Sequence, residues 1–247
     1  MMRRVFMLAA LAAALAALIS LNRLATDWHY VVPAEPGALL YAAAFDGLED
    51  EWERYEGRLS AAIADGRLRL TVGDFESGPY SAARPHFGDF DLRVEATAVD
   101  GPLDNGFGVI FRLQDRQNYY LFLISSDGYY KVERVRGGVS RELSTWIESP
   151  LVRQGLGERN YVRVVGRGDQ FAFFVNGEPV ALCIPDDPEA RSTYVQGACI
   201  GGSMQQTLTD AAIPHGRLGV VASSFGASGV VVDFDNVLVY GPQAASE

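Results

Sequence analysis

Gly106-Phe107-Gly108-Val109-Ile110-Phe111-Arg112-Leu113-Gln114 is the stretch that decides the fold class. Phe107, Val109, Phe111 and Leu113 alternate with Gly108, Ile110, Arg112 and Gln114. A period of two belongs to a strand with one face buried and one face out. The same pattern extends in both directions. Upstream, Leu92, Val94, Ala96 and Ala98 alternate with Asp91, Arg93, Glu95 and Thr97. Downstream, Phe171, Phe173 and Val175 alternate with Ala172, Phe174 and Asn176, and Val230, Val232 and Phe234 with Val231, Asp233 and Asp235. Asp65-Gly66, Asp127-Gly128 and Asn176-Gly177 stand between such runs and supply the positive φ angles of tight hairpins. They predict pairing of 58–63 with 67–72, of 119–125 with 129–135, and of 170–175 with 179–183. About twelve to fourteen strands are expected, too many for an immunoglobulin sandwich of about 100 residues. The pattern predicts an all-β fold, a two-sheet antiparallel jelly-roll sandwich. No self-similar period appears, which argues against a propeller. The runs 40–46 and 230–240 are both apolar on one face and are expected to pair.

The N-terminus reads differently. Arg3 and Arg4 precede residues 5–21, a stretch without charge whose one polar residue is Ser20. As a helix it would be about 25 Å long, inside the range of membrane spans. An uncleaved signal anchor and a cleaved signal peptide both fit. Asn22-Arg23-Leu24-Ala25 offers no good pair of small residues for cleavage, which favours the anchor. The paired arginines favour an internal N-terminus. The expected protein is single-pass in the cell membrane with an extracytoplasmic C-terminal domain, or else secreted. The expected organisation is signal anchor or signal peptide at 1–23, a linker at 24–39 containing Pro33, Pro36 and Gly37, the jelly roll at 40–241 and a tail at 242–247.

Charge narrows the partners. The 247 residues hold 21 Lys+Arg against 31 Asp+Glu, for a net charge of −10. Such a surface repels phosphate backbones, so nucleic acid is excluded as a partner. Hydrophobic residues make up 48% of the chain, enough for a packed core. Two cysteines, Cys183 and Cys199, rule out a disulfide-dense scaffold and a zinc ribbon. In an exported chain they are expected to pair within an insertion at 184–214 that interrupts the strand pattern; the alternative is two separately buried thiols.

Several segments resemble the concanavalin A-like lectin/glucanase superfamily. They are Gly106–Arg112 with Asn118-Tyr119-Tyr120-Leu121-Phe122, then Asn160-Tyr161-Val162-Arg163-Val164, Phe173-Phe174-Val175-Asn176-Gly177, and the closing run Val232–Tyr240. The nearest branch is similar to 3-keto-disaccharide hydrolase and laminin-G-like domains of exported bacterial proteins, and the resemblance covers residues 40–241. It implies the jelly roll; the superfamily holds lectins, glycosidases and interaction modules, so it does not settle the activity. Laminarinase-type members carry a Glu-x-Asp-x-x-Glu strand whose alternate carboxylates flank the sugar bond. No such triplet occurs here, although Glu133, Glu142 and Glu148 lie in or near the middle strands. His29, His86 and His215 lack ligand spacing and read as loop residues. No Gly-x-Ser-x-Gly elbow is present. Several jelly-roll relatives hold calcium where the first strand meets the last. By that analogy Asp46 and Asp235, with Asp233 nearby, are the candidate ligands of a structural calcium; the alternative is that they cap turns. No other cofactor is required.

Sugar recognition needs flat aromatic surfaces beside planar polar groups. The candidates are Trp146, Tyr119, Tyr129, Arg112, Gln114 and Asn118, with burial in the core as the alternative for each. Trp146 and Ile147 must point to opposite faces of a strand, so only one of them is core. The expected function is a non-catalytic, membrane-anchored binding module for glycan or another cell-surface ligand. The alternatives are a glycoside-cleaving enzyme of the 3-keto-disaccharide type and a structural or sensory protein–protein module.

Overall fold

Alternating sequence becomes strand at each place marked above. The computed structural model describes residues 11, 13–19, 30–47, 51–73, 78–225 and 228–243. They fall into two units, Met1–Tyr30 and Val31–Glu247. In the first, Leu11 and residues 13–19 are helical. Among the described residues no helix is long and apolar enough to cross a membrane. Most of the expected 1–23 span lies outside the described residues.

The second unit is built of strands. In chain order they are β1 (Val31–Val32), β2 (Leu39–Ala43), β3 (Leu59–Ala64), β4 (Arg67–Val72), β5 (Tyr80–Phe87), β6 (Phe90–Asp100) and β7 (Asn105–Asp115). There follow β8 (Asn118–Ile124), β9 (Tyr129–Arg136), β10 (Val139–Glu148), β11 (Arg159–Arg167), β12 (Gln170–Val175) and β13 (Glu178–Pro179). The insertion holds β14 (Leu182–Pro185), β15 (Tyr194–Val195), β16 (Ala198–Cys199) and β17 (Gly202–Gln205); β18 (Thr207–Thr209), β19 (Gly216–Ser224) and β20 (Val230–Tyr240) complete the unit. The front sheet runs β1-β5-β19-β7-β8-β9-β10. The back sheet runs β13-β12-β11-β6-β20-β4-β3, with β18 beside β12 and β2 beside β20. Early strand β2 does pair with the closing strand β20, Ala43 facing Val237. One pairing departs from the antiparallel expectation: β1 runs parallel to β5, with Val31 opposite His86.

The core lies between the sheets. Phe107, Val109, Phe111, Tyr120 and Phe122 of the front sheet meet Leu92, Phe171, Phe173 and Phe234 of the back sheet. Ring centroids stand 4.9 Å apart for Phe122 and Phe173 and 5.4 Å for Phe111 and Phe171. Packing at this density supplies the main drive to fold.

Alternation fails within β7, and the failure shapes the molecule. Arg112 adopts φ 48°, a left-handed conformation that costs most residues free energy. The β7–β8 register shifts between Phe111 and Asp115. Past this bulge Leu113 lies on the outer face with Ile110, opposite to Phe111. Arg112 itself turns inward. It is 1% exposed, and its guanidinium lies 4.6 Å from the centroid of the Phe171 ring. It donates to the carbonyls of Ile213 at 2.8 Å and Gly88 at 3.3 Å, and to that of Gly168. Burial pulls its pKa below the ordinary arginine value. Strand β19 passes directly over the kink at Gly216, where a Cβ would run into the Arg112 carbonyl group. The expectation that Arg112 belongs to a ligand face is therefore corrected: it is a buried tie between three loops.

Two boundaries also shift. The expected linker 24–39 is already sheet at Val31–Val32, and Pro36 bridges to Gly241. The third expected hairpin turns at Asn176-Gly177 and pairs over Glu178–Pro179, with a last bond from the Val180 amide to the Phe173 carbonyl. The chain then leaves as β14 and pairs with β17. Cys183 and Cys199 form a disulfide across this insertion, sixteen positions apart.

Two stability outcomes follow from these contacts. Arg112→Ala leaves three carbonyls without their donor and is expected to cost about 3 kcal/mol in urea denaturation. Arg112→Lys is expected to recover less than half of that, because an ammonium lacks the planar fork. Replacing both cysteines by serine is expected to cost about 3 kcal/mol in the chain-entropy description. Faster amide exchange should then be confined to the insertion.

Candidate functional site

The back sheet covers only one face of the front sheet. On the other face, strands β7, β8 and β19 still present apolar side chains: Ile110, Leu113, Leu123 and Val221 are buried there together with Ala82 of β5. Tyr80, Tyr119, Leu121 and Trp146 pack partly against them. A second apolar layer on the outer face makes the floor of a cleft rather than a solvated surface. The cleft has a volume of about 1030 Å³. Segment 51–58 contributes Glu53, Arg54 and Tyr55 to its lining, and Phe225 contributes from beyond β19. Ser81 Oγ donates to the Glu53 carbonyl at 2.6 Å, and Tyr55 OH donates to the Tyr80 carbonyl at 2.9 Å, which fastens that segment to β5.

Two ion pairs line the cleft, beside Arg54, Asp115 and Arg116. Arg217 meets Glu53 at 2.8 Å and Lys131 meets Glu133 at 2.7 Å. Lys131 Nζ lies 5.2 Å from the centroid of the Trp146 ring and 5.9 Å from that of Phe225, within the range of a cation–π contact. Trp146 and Phe225 meet edge to face at 5.7 Å. Phe225 sits against bare backbone, since a Cβ on Gly106 would lie 2.8 Å from its ring. Burial, and then the Glu133 carboxylate, push the Tyr119 phenol up. Burial pushes the Tyr55 phenol up to about 12.

The sequence candidates divide among these positions. Trp146 faces the outer side while its neighbour Ile147 is in the core. Tyr119 joins Trp146 on that side and lines the main cleft. Tyr129 shares with Trp146 a smaller pocket of about 190 Å³, together with Asp104, Asn105, Ser125 and Asp127. Asn118 holds a turn: its Nδ2 donates to Asp115 and its Oδ1 accepts from the Gly137 amide at 3.0 Å. Gln114 is exposed and donates to the His215 carbonyl at 3.3 Å. Arg112 is behind the sheet. His86, expected in a loop, is a buried residue of β5.

Calcium finds little support at the expected place. Asp233 is engaged by Arg69 at 2.7 and 2.8 Å, and Asp235 accepts from the Asn236 amide at 2.7 Å, while Asp46 is exposed. Among the described residues, no group of three or more histidines, cysteines and carboxylates is placed to hold a metal ion. Asp233 and Asp235 meet a guanidinium and an amide instead.

Sequence reasoning missed Tyr55, Tyr80, Lys131, Arg217 and Phe225. One signal was available: the chain holds a single lysine, Lys131, among its 21 basic residues. The others come from segments far apart in sequence, and only the fold unites them.

No family model matches the chain. An extracellular exo-alpha-L-arabinofuranosidase of Streptomyces chartreusis is 35% identical over 89 residues, 36% of this chain and 10% of that protein. The chain thus matches about a tenth of that protein's length. The carbohydrate binding module CBM66 from Bacillus subtilis superposes with a TM-score of 0.52 over 77% of this chain and 95% of that one, at 13% identity. The chain shares the fold of a carbohydrate-binding module. The GH43 BlXynB protein from Bacillus licheniformis gives a TM-score of 0.55 at 15% identity, over 81% of this chain and 39% of that one. At such identities the likeness is one of fold.

The raised Tyr55 value has a pH consequence. Above pH 10 the unfolded phenol loses its proton while the folded one keeps it, so stability falls as pH rises. The contribution is fully present below about 10 and lost as pH passes about 12. Urea midpoints should drop between pH 9 and pH 12, and Tyr55→Phe should lessen the drop without removing it, because Tyr119, Tyr120 and Tyr130 are shifted the same way.

Proposed function

We propose that the unit from Val31 onward is a non-catalytic glycan-binding module that takes its ligand in the cleft on the outer face of the front sheet. The observation that carries the reading is the second apolar layer on that face, with Trp146, Tyr119 and Phe225 beside paired polar groups. Apolar sugar faces stack on aromatic rings, and fixed polar groups set the orientation of hydroxyls. Of the cleft carboxylates, Glu53 and Glu133 are engaged by Arg217 and Lys131, which supports holding a sugar over cleaving one. The fold of the CBM66 module and the sequence match to the arabinofuranosidase support the same ligand class. Membership of the concanavalin A-like superfamily, near its 3-keto-disaccharide hydrolase branch, is part of this proposal and rests on the strand motifs quoted above.

Export belongs to the same reading. The Cys183–Cys199 disulfide fits an oxidising compartment, and Arg3 and Arg4 before the uncharged run 5–21 fit a signal anchor. Protease added to intact cells would then digest residues 31–243, with the protein held in the membrane fraction. A soluble form beginning near residue 26 would replace the anchor by a cleaved signal.

Calorimetric titration against a panel of plant and bacterial polysaccharides tests the ligand. Trp146→Ala is expected to weaken binding by at least about tenfold and to destabilise the fold by about 1 kcal/mol. A core tryptophan would cost about 3–5 kcal/mol instead. A large loss of stability together with unchanged binding would overturn the assignment of the cleft.

A further inference from the structure

The main cleft does not end at Lys131. Lys131 and Glu133 also line a second cleft of about 730 Å³, bounded by residues of strands β9 and β10. One wall of it comes from the disulfide-closed insertion, through Glu189, Ala190 and Arg191. That wall is fixed in place. Ser192 is 5% exposed; its Oγ donates to the Cys183 carbonyl at 2.6 Å and accepts from the Thr145 amide of β10 at 3.0 Å. Arg191 thus lines the same cleft as Arg136 at the end of β9.

Cationic side chains are concentrated in this second cleft. The chain carries a net −10, yet guanidiniums gather here. Arg134 is satisfied by Asp210, and Lys131 by Glu133 at 2.7 Å and Glu142 at 3.6 Å. Arg141 is held loosely, 3.6 Å from an exposed Glu189. Arg136 and Arg191 are exposed, and among the described residues neither has a carboxylate within ion-pair distance. Two unpaired guanidiniums in one concave site focus a positive potential, and their forked donors match a carboxylate or a sulfate.

Resting on the glycan reading above, we infer that the two clefts form one groove for an extended anionic polysaccharide. Neutral parts of the chain stack by Trp146 and Tyr119, and an acidic sugar lies between Arg136 and Arg191. The shared pair Lys131–Glu133 is the junction. A single sugar would fill neither cleft, whose volumes are about 1030 and 730 Å³.

The test measures binding to the full chain with matched ligand pairs. One pair is an oligogalacturonate and its fully methyl-esterified form; the other is a sulfated glycosaminoglycan hexasaccharide and its desulfated form. The expected result is that a charged member binds about tenfold more tightly than its uncharged counterpart, with the difference shrinking as salt rises. The pair that discriminates identifies the anion as carboxylate or sulfate. Arg136→Gln with Arg191→Gln should erase the preference, bringing the charged member down to the affinity of its uncharged counterpart. Trp146→Ala should weaken both members. Binding without any preference for charge, or a preference that survives the double substitution, would overturn the inference and leave the glycan reading standing. Failure of every member to bind, together with failure on the neutral panel, would remove both.

Discussion

A buried guanidinium organises the front sheet. Arg112 reverses the parity of β7 part-way along its length, and its donors hold the carbonyls of Gly88, Gly168 and Ile213. Before it, Phe107, Val109 and Phe111 fill the space between the sheets. After it, Leu113 crosses to the outer face and joins the cleft floor. The three carbonyls belong to the β5–β6 turn, the β11–β12 turn and the segment before β19, so one side chain ties both sheets to the last crossing of the chain. Burying a charge this way is favourable only because the acceptors satisfy it. The cleft thus lies on a sheet whose end is clamped, and a groove that must present aromatic rings at fixed spacing needs that rigidity.

Much of the back sheet was legible in the sequence because it obeys a single period. Leu92, Val94, Ala96 and Ala98 are core as the alternation requires, and the turns at Asp65-Gly66 and Asn176-Gly177 adopt positive φ angles. The front sheet was only half legible. Ile110 has outward parity, which reads as solvent in a one-sided sheet, whereas here the outward face is the floor of a groove. Arg112 was misplaced because a left-handed arginine has no signature of its own; it is polar, and its position in the alternation is an outward one. The short strand Val31–Val32 is too brief to show a period, and its flanking prolines disguise it as a linker. The third hairpin keeps one ladder bond past Pro179, from the Val180 amide to the Phe173 carbonyl at 3.0 Å, and the chain then joins the insertion.

The candidate site was legible in its aromatic anchors and opaque elsewhere. Trp146 beside Ile147 could be sorted to opposite faces by parity, and Tyr119 follows from its place in β8. Glu53, Tyr55, Arg217 and Phe225 reach the cleft from segments separated by more than 150 positions, and no local pattern joins them. Asn118 and Gln114 were chosen as planar polar groups, the same chemistry that makes them good turn fasteners, and the fold uses them for that.

Lys131 sits where aromatic rings, paired carboxylates and both clefts converge, and it is the one lysine in the chain. Amine-directed chemistry therefore has a single side-chain address in this protein. Lys131 is 7% exposed and sheathed by its neighbours, so its labelling rate reports on the opening of the surface around it, with no engineered probe required. The same scarcity shelters the remainder of the surface: acylating or glycating agents that would scatter over an ordinary lysine-rich protein find arginines there instead.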